Sequence, residues 1–242
     1  MPVLSQLRPR RLAAAALAAV TALAVTVRRP GHPRLLRRDS HKNGTFWAMP
    51  DNGFGTKENS ADFRLRIYLV KPRWERAGGS SGSIQILRYI ELSDPRNKID
   101  FPIVNENTRA RLLTGKDFDI ESLQRMADGS FWIGEEFGPF LLHVDSRGRV
   151  LSAPISLPLG KSPQHPTLGT ETPNTQRSGG FEAMAASPNG RYLYPILEKG
   201  LVDDSDLRRR IIVEFDPGPS ATPAAPGPTG PTPTSTWSPT RS

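Results

Sequence analysis

An all-β fold assembled from repeated antiparallel hairpins is what this sequence predicts, and three observations predict it. Asn-Gly or Asp-Gly opens an aromatic-rich apolar run at three places: NGTFWAMPDNGFG from Asn43, DGSFWIGEEFGPF from Asp128 and NGRYLYPILEKGL from Asn189. Further short apolar runs bounded by turn residues fill the chain between 43 and 216. Cysteine is absent. That excludes zinc–thiolate sites, cysteine nucleophiles and a disulfide framework, and leaves core burial or a metal ion to hold the fold.

The N-terminal part reads as a targeting segment. Arg8, Arg10 and Arg11 precede an Ala- and Leu-rich run from Leu12 to Val27, and Ala22-Leu23-Ala24 supplies a small-x-small cleavage pattern. Residues 1–24 are therefore expected to be a secretory signal peptide, which places the mature chain outside the cytoplasm, secreted or periplasmic. The run is shorter than the roughly 20 strongly apolar residues of a spanning helix, so no stable membrane span is expected after cleavage. Residues 25–42 form a basic, irregular segment. Net charge is +8, but the first 42 residues hold nine of the 32 basic side chains and one of the 24 acidic ones. The remaining 200 residues carry 23 of each and are neutral, which argues against nucleic acid as a partner. Residues 217–242 hold eight prolines among Thr, Ser, Gly and Ala. Proline lacks the N–H a ladder needs, so this Pro/Thr-rich tail is expected to be disordered. The folded body is bounded at 43–216.

Within that body the hairpins repeat. A turn of type I′, with positive φ at both central residues, is the expected conformation at each Asn/Asp-Gly pair. Ile120-Glu121-Ser122-Leu123 and Phe181-Glu182-Ala183-Met184 stand at equal distances before two of the turns. A third strand follows in each copy (65–70, 140–145 and 210–216) and a fourth in the first two (83–92 and 149–157). A four-stranded antiparallel unit that recurs with loop insertions is the pattern of a propeller blade. The body is accordingly expected to be an incomplete β-propeller of about three four-stranded blades. A β-sandwich would also give short strands, but its hairpins need not resemble one another.

The repeat sets acids at equivalent points. Glu121 and Glu182 stand at the start of a unit; Asp51, Glu136 and Glu198 stand at the end of the strand after the turn. A short turn puts both positions at one end of the sheet, and neighbouring units bring those ends together. Converging carboxylates repel unless protonated or neutralised by a cation, and an all-oxygen set suits Ca²⁺ or Mg²⁺. Asp119 and Glu135 flank the repeated positions. The predicted metal ligands are Asp51, Asp119, Glu121, Glu136, Glu182 and Glu198, with Asn52 as a further oxygen donor; Glu135 and Glu136 are the candidate catalytic carboxylates. Exposed acids at strand ends are also common without any ion.

Other constellations carry less. Gly78-Gly79-Ser80-Ser81-Gly82 has the G-x-S-x-G spacing, yet a strand-like run follows it where a nucleophile elbow needs a helix. The four histidines lack metal-ligand spacing, and His143 in FLLHVD reads as structural. Trp47 and Trp132 are repeat equivalents and read as core.

The segments FWAMPDNGFGTKENSADF, LTGKDFDIESL with DGSFWIGEEFGPFLLHVD, and GGFEAMAASPNGRYLYPILE closely resemble the phytase-like family, often labelled "esterase-like activity of phytase". The resemblance covers most of 43–216. It implies a secreted β-propeller distantly like the calcium-dependent propeller phytases, hydrolysing phosphate or other ester bonds of a small-molecule substrate. Asp51, Glu121, Glu136 and Glu182 fall in the family's acidic motifs. The chain departs from the family in lacking a glycine-rich first strand and the further blades after its EFD-like strand. Two alternatives stay open: a non-catalytic exported propeller that acts as a binding module, and an inactive fragment of a longer propeller.

Overall fold

The protein is described by a computed structural model covering residues 44–50, 53–74, 82–158 and 160–218. The expected signal peptide, the basic segment, Asp51, Asn52, Ser80 and all but the first two residues of the Pro-rich tail lie outside the described residues.

Nine strands and no helix make up the described chain. β1 (Phe46–Ala48), β2 (Arg66–Arg73) and β3 (Ser83–Glu91) form a first antiparallel sheet in that order. β4 (Ile120–Arg125), β5 (Phe131–Glu135), β6 (Phe140–Val144) and β7 (Ile155–Ser156) form a second, four-stranded meander, and β8 (Ala183–Ala186) and β9 (Leu193–Ile196) pair in a third. The all-β class and its antiparallel sheets of two to four strands are thus as the sequence implies.

The middle sheet is buried on both faces, and side-chain alternation along a strand explains how. Phe131 and Ile133 of β5, with Phe140, Leu142 and Val144 of β6, join Trp47, Ile67 and Ile90 of the first sheet in one core. Trp132 and Leu141, one residue out of phase, join Phe181, Met184, Leu193 and Leu197 in another. Every residue of β5 is buried. Each large apolar side chain moved from water in this way contributes about 1.5–3 kcal/mol before entropy is subtracted. The second joint also carries polar contacts: Ser122 Oγ donates to Phe181 O (2.6 Å) and Gln124 Nε2 to Met184 O (3.1 Å).

The turns differ from the type I′ geometry expected. Gly44, Gly129 and Gly190 have positive φ, but Asp128 and Asn189 do not. Gly129 N–H closes on Met126 O (3.0 Å) and Gly190 N–H on Ser187 O (2.8 Å), so glycine occupies the last position of a four-residue turn. At Gly129 this is the three-residue loop with a left-handed glycine after a type I turn; at Gly190 the loop has four residues, closed by Ser187 N–H on Tyr192 O (2.8 Å). The preceding acid or amide serves a different purpose: Asp128 Oδ1 accepts Ser130 N–H (2.9 Å) and Asn189 Oδ1 accepts Arg191 N–H (3.0 Å).

Two strands are cut short by proline. The run expected as a strand over 149–157 contains only isolated bridges at Arg149 and Val150 and the two residues of β7; Pro154 and Pro158 cannot donate to a ladder. The segment expected over 210–216 runs beside β9, with Val213 N–H on Pro195 O (3.0 Å) and Phe215 N–H on Leu193 O (2.8 Å). Pro195 of β9 returns no N–H, which leaves isolated bridges at Ile212 and Phe215 in place of a continuous strand.

Candidate metal centre

The carboxylates collect at the joint between the second and third sheets. Glu136 follows β5 directly, and its N–H donates to Asp119 O (2.9 Å), carrying the β4–β5 ladder one step past both strands. Ile120 pairs with Glu135 and Ser122 with Gly134, so Glu121 is the extra residue of a β-bulge. A bulge re-aims the side chain it carries, and here Glu121 joins Asp119 and Glu136 rather than alternating away from them.

The third sheet brings its acids by backbone contact. Phe181 N–H donates to Glu135 O (3.2 Å) and Glu198 N–H to Gly180 O (3.0 Å). A Cβ on Gly180 would lie 2.7 Å from Glu135 O, so only glycine lets the segment before β8 approach the end of β5 this closely. Glu182 and Glu198 thereby meet Glu136.

Two groups result. Asp119, Glu121 and Glu136 form one, and Glu136, Glu182 and Glu198 the other; within each, one oxygen per residue lies within 4.8 Å of the others. Glu136 belongs to both. Five of the six predicted ligands therefore converge, and the sixth, Asp51, lies outside the described residues. Glu136 and Asp119 are buried, Glu121 and Glu182 half-buried and Glu198 exposed. Burial, then Asp119 and Glu198, pushes the Glu136 carboxyl up to about 7, with a hydrogen bond to Asp119 acting in the same direction. Oxygens this close cannot all be charged without a counter-charge. The donor set, carboxylate oxygens throughout, fits a hard divalent cation.

Glu135 points elsewhere. Its side chain is wholly buried, and its two oxygens accept Phe137 N–H (2.8 Å), Gly138 N–H (2.7 Å) and Phe140 N–H (2.8 Å). It closes the 136–139 turn, which holds the cis Gly138–Pro139 peptide. Burial pushes it up to about 8 against the three donors. It belongs to neither carboxylate group.

The sequence did not reveal two lysines near these acids. Lys199 Nζ donates to Ser178 O and to Arg177 O (3.4 Å), and stands 3.6 Å from Glu198. Lys57, some eighty residues earlier in the chain, sits with Nζ 4.6 Å from the ring centroid of Phe137, the residue after Glu136. Lys199 lies in the third copy beside Glu198, but the second copy has Phe137 after its glutamate, and Lys57 lies outside the copies, so no repeated lysine marks either.

Among the described residues, the histidines offer no nucleophile–base pair. His165 Nε2 lies 3.1 Å from Ser156 Oγ, but Thr167 N–H donates to His165 Nδ1 (3.1 Å). Nδ1 is then the acceptor and Nε2 carries the proton, which it gives to the serine instead of removing one. His143 stacks on Trp132 at 4.2 Å and touches Ser130 Oγ (3.1 Å), in the structural role its strand position implies.

The folded unit thus defined is an all-β protein with a carboxylate-lined joint, and comparison with known proteins places it. The chain belongs to the phytase-like family, described as "Esterase-like activity of phytase", which it matches over residues 36–229. It is 24% identical over 222 residues to an "Uncharacterized secreted protein" of Arthroderma benhamiae, covering 71% of this chain and 43% of that protein, so it spans less than half of its relative's length. No solved structure matches the chain. Among the described residues, no helix is long and apolar enough to cross a membrane.

Proposed function

We propose that this chain is an exported phytase-like hydrolase of phosphate or other ester bonds, with a divalent cation, calcium by preference, held by Asp119, Glu121, Glu136, Glu182 and Glu198. The two carboxylate groups that share Glu136 carry this reading. The three sheets, stacked in chain order with acids of the second and third at one shared end, support successive blades of a propeller. The relative named as secreted supports export.

A hard cation bound there supplies charge neutralisation for a phosphoryl or carbonyl oxygen. The protein's own groups do the rest. With no counter-charge present, Glu136 holds its proton toward Asp119; a bound cation releases that proton and leaves the carboxylates charged as its ligands. The same joint keeps Glu136 out of bulk water while Glu198 stays at the rim. Glu135 contributes by fixing the turn that follows Glu136.

Calcium titration followed by calorimetry tests the site. Wild type is expected to bind calcium, and Glu136→Gln, which removes the shared ligand, to lose at least tenfold in affinity. Equal binding by the two proteins overturns the assignment. Calcium-dependent release of phosphate or p-nitrophenol then tests the hydrolase. A folded, calcium-loaded chain without turnover would instead be a binding module.

A further inference from the structure

We propose that Lys199 is a built-in counter-charge of the Glu136, Glu182 and Glu198 group, stabilising these carboxylates when no ion is bound and weakening their hold on a divalent cation. This inference rests on the metal-site reading above and adds its regulation: Lys199 sets how tightly the joint keeps its cation.

Position carries the first part of the argument. The Lys199 ammonium lies 3.6 Å from Glu198 Oε2. It also donates to Ser178 O and to Arg177 O (3.4 Å). Both carbonyls belong to the loop that leads into Glu182. Ser178 has φ +53°, a left-handed conformation that a residue with a side chain adopts only at a cost. A Cβ on the next residue, Gly179, would lie 3.1 Å from Lys199 Cβ and 3.2 Å from Lys199 Cδ, so the bare glycine makes room for the lysine stem. The ammonium therefore sits between the loop before Glu182 and the Glu198 carboxylate.

Charge carries the second part. Burial, Asp119 and Glu198 push the Glu136 carboxyl up, and Lys199 is the neighbouring charge that draws against them. Its field thus reaches the residue that both carboxylate groups share. Carboxylates this close need a counter-charge, and a tethered ammonium supplies one unit of it without a diffusing ion. The same ammonium repels a divalent cation at these oxygens.

The loop does not depend on the ammonium for its shape. Glu198 N–H donates to Gly180 O (3.0 Å), Gln176 Nε2 to Gly200 O (3.0 Å) and Val202 N–H to Asn174 O (2.8 Å), which joins residues 174–180 to 198–202. Removing the lysine charge should leave the carboxylates in place.

Calcium titration of the full chain by calorimetry, with thermal unfolding in EDTA, tests this. Lys199→Met is expected to bind calcium about threefold to tenfold more tightly than wild type, the order for one solvent-screened unit charge beside a divalent ion. Without calcium it should melt below wild type, and calcium should raise its Tm further than that of wild type. Lys199→Gln drops the charge but keeps an N–H donor for the carbonyls, and should behave like the Met variant; Lys199→Arg should behave like wild type. A lysine that only braced the loop would give the opposite sign, with calcium bound more weakly by the Met variant and unchanged in the Gln variant. Circular dichroism checks folding, and the Gln variant decides if the Met variant does not fold. Calcium bound by wild type but no more tightly by the uncharged variants overturns the inference and leaves the metal site standing. Absence of calcium binding by wild type overturns the metal site, and the inference with it.

Discussion

Replacing Glu135 should damage stability, not ion binding. Three backbone N–H groups, of Phe137, Gly138 and Phe140, end on its carboxylate at 2.7–2.8 Å, inside a site with no solvent access. Glu135→Ala strands all three. A buried donor left without its partner costs about 1–3 kcal/mol, so the alanine variant should lose at least about 3 kcal/mol even if the turn partly relaxes. Glu135→Gln is milder and more informative. Its one acceptor oxygen can keep Gly138 and Phe140, but its NH₂ then opposes Phe137 N–H, an expected loss of about 1–3 kcal/mol. That holds whether or not the glutamate carries a proton, because either form of a carboxyl oxygen accepts Phe137 N–H and an amide nitrogen does not. Urea unfolding of the full chain, followed by tryptophan fluorescence and far-ultraviolet circular dichroism, measures both. The expected order is wild type, then Gln, then Ala, with calcium affinity of the Gln variant unchanged. An alanine variant within about 1 kcal/mol of wild type would refute the reasoning. So would a glutamine variant of native stability that no longer binds calcium.

Other outcomes follow from the same contacts. Asp145 accepts Arg147 N–H (2.8 Å), Arg149 N–H (3.0 Å) and the Arg149 guanidinium (2.7 Å), and although partial burial opposes it, these partners hold its carboxyl below the ordinary value of 3.8. A lowered folded pKa gives stability that is present above the unfolded value and lost as pH falls through the folded one. Asp145→Asn should therefore cost about 0.5–1 kcal/mol at pH 7, allowing for solvent screening of Arg149, and the difference should shrink as pH falls through the lowered Asp145 pKa in unfolding measured across the acid range. Gly134→Ala would place a Cβ 2.7 Å from Phe181 Cβ and 2.9 Å from Phe181 O; overpacking of this kind costs about 1–3 kcal/mol and should weaken calcium binding by parting the two sheets, read by denaturation and calorimetry together.

Much of the architecture is legible in the sequence because hairpins announce themselves locally. The runs at 65–70, 83–92, 120–126, 130–134 and 140–145 all correspond to strands, since β-branched and aromatic residues alternate there between turn residues. The repeat also leads to the acids, and five of the six named ligands come together. What escapes is set by single residues or by distance. Pro154, Pro158 and Pro195 each remove a donor from a run whose apolar pattern still reads as strand. The Glu121 bulge is a matter of one residue against two, which hydrophobic period does not encode. Glu135 and Glu136 are neighbours of one type, and only the turn at 137–140 separates a buried structural carboxylate from a site carboxylate.

The polar contacts between the second and third sheets give this joint an address. Apolar faces tolerate sliding past one another, whereas the Ser122 hydroxyl donates to Phe181 O and the Gln124 amide to Met184 O, which ties each donor to one carbonyl of the 181–184 segment. Alignment of the two copies sets Ala183 where Ser122 stands, and alanine has no hydroxyl to offer. The duplicated hairpins therefore share a greasy core pattern but not the latch. One copy grafted in place of the other would dock without its keying contact, and the carboxylates it carries would lose the alignment that brings them to Glu136.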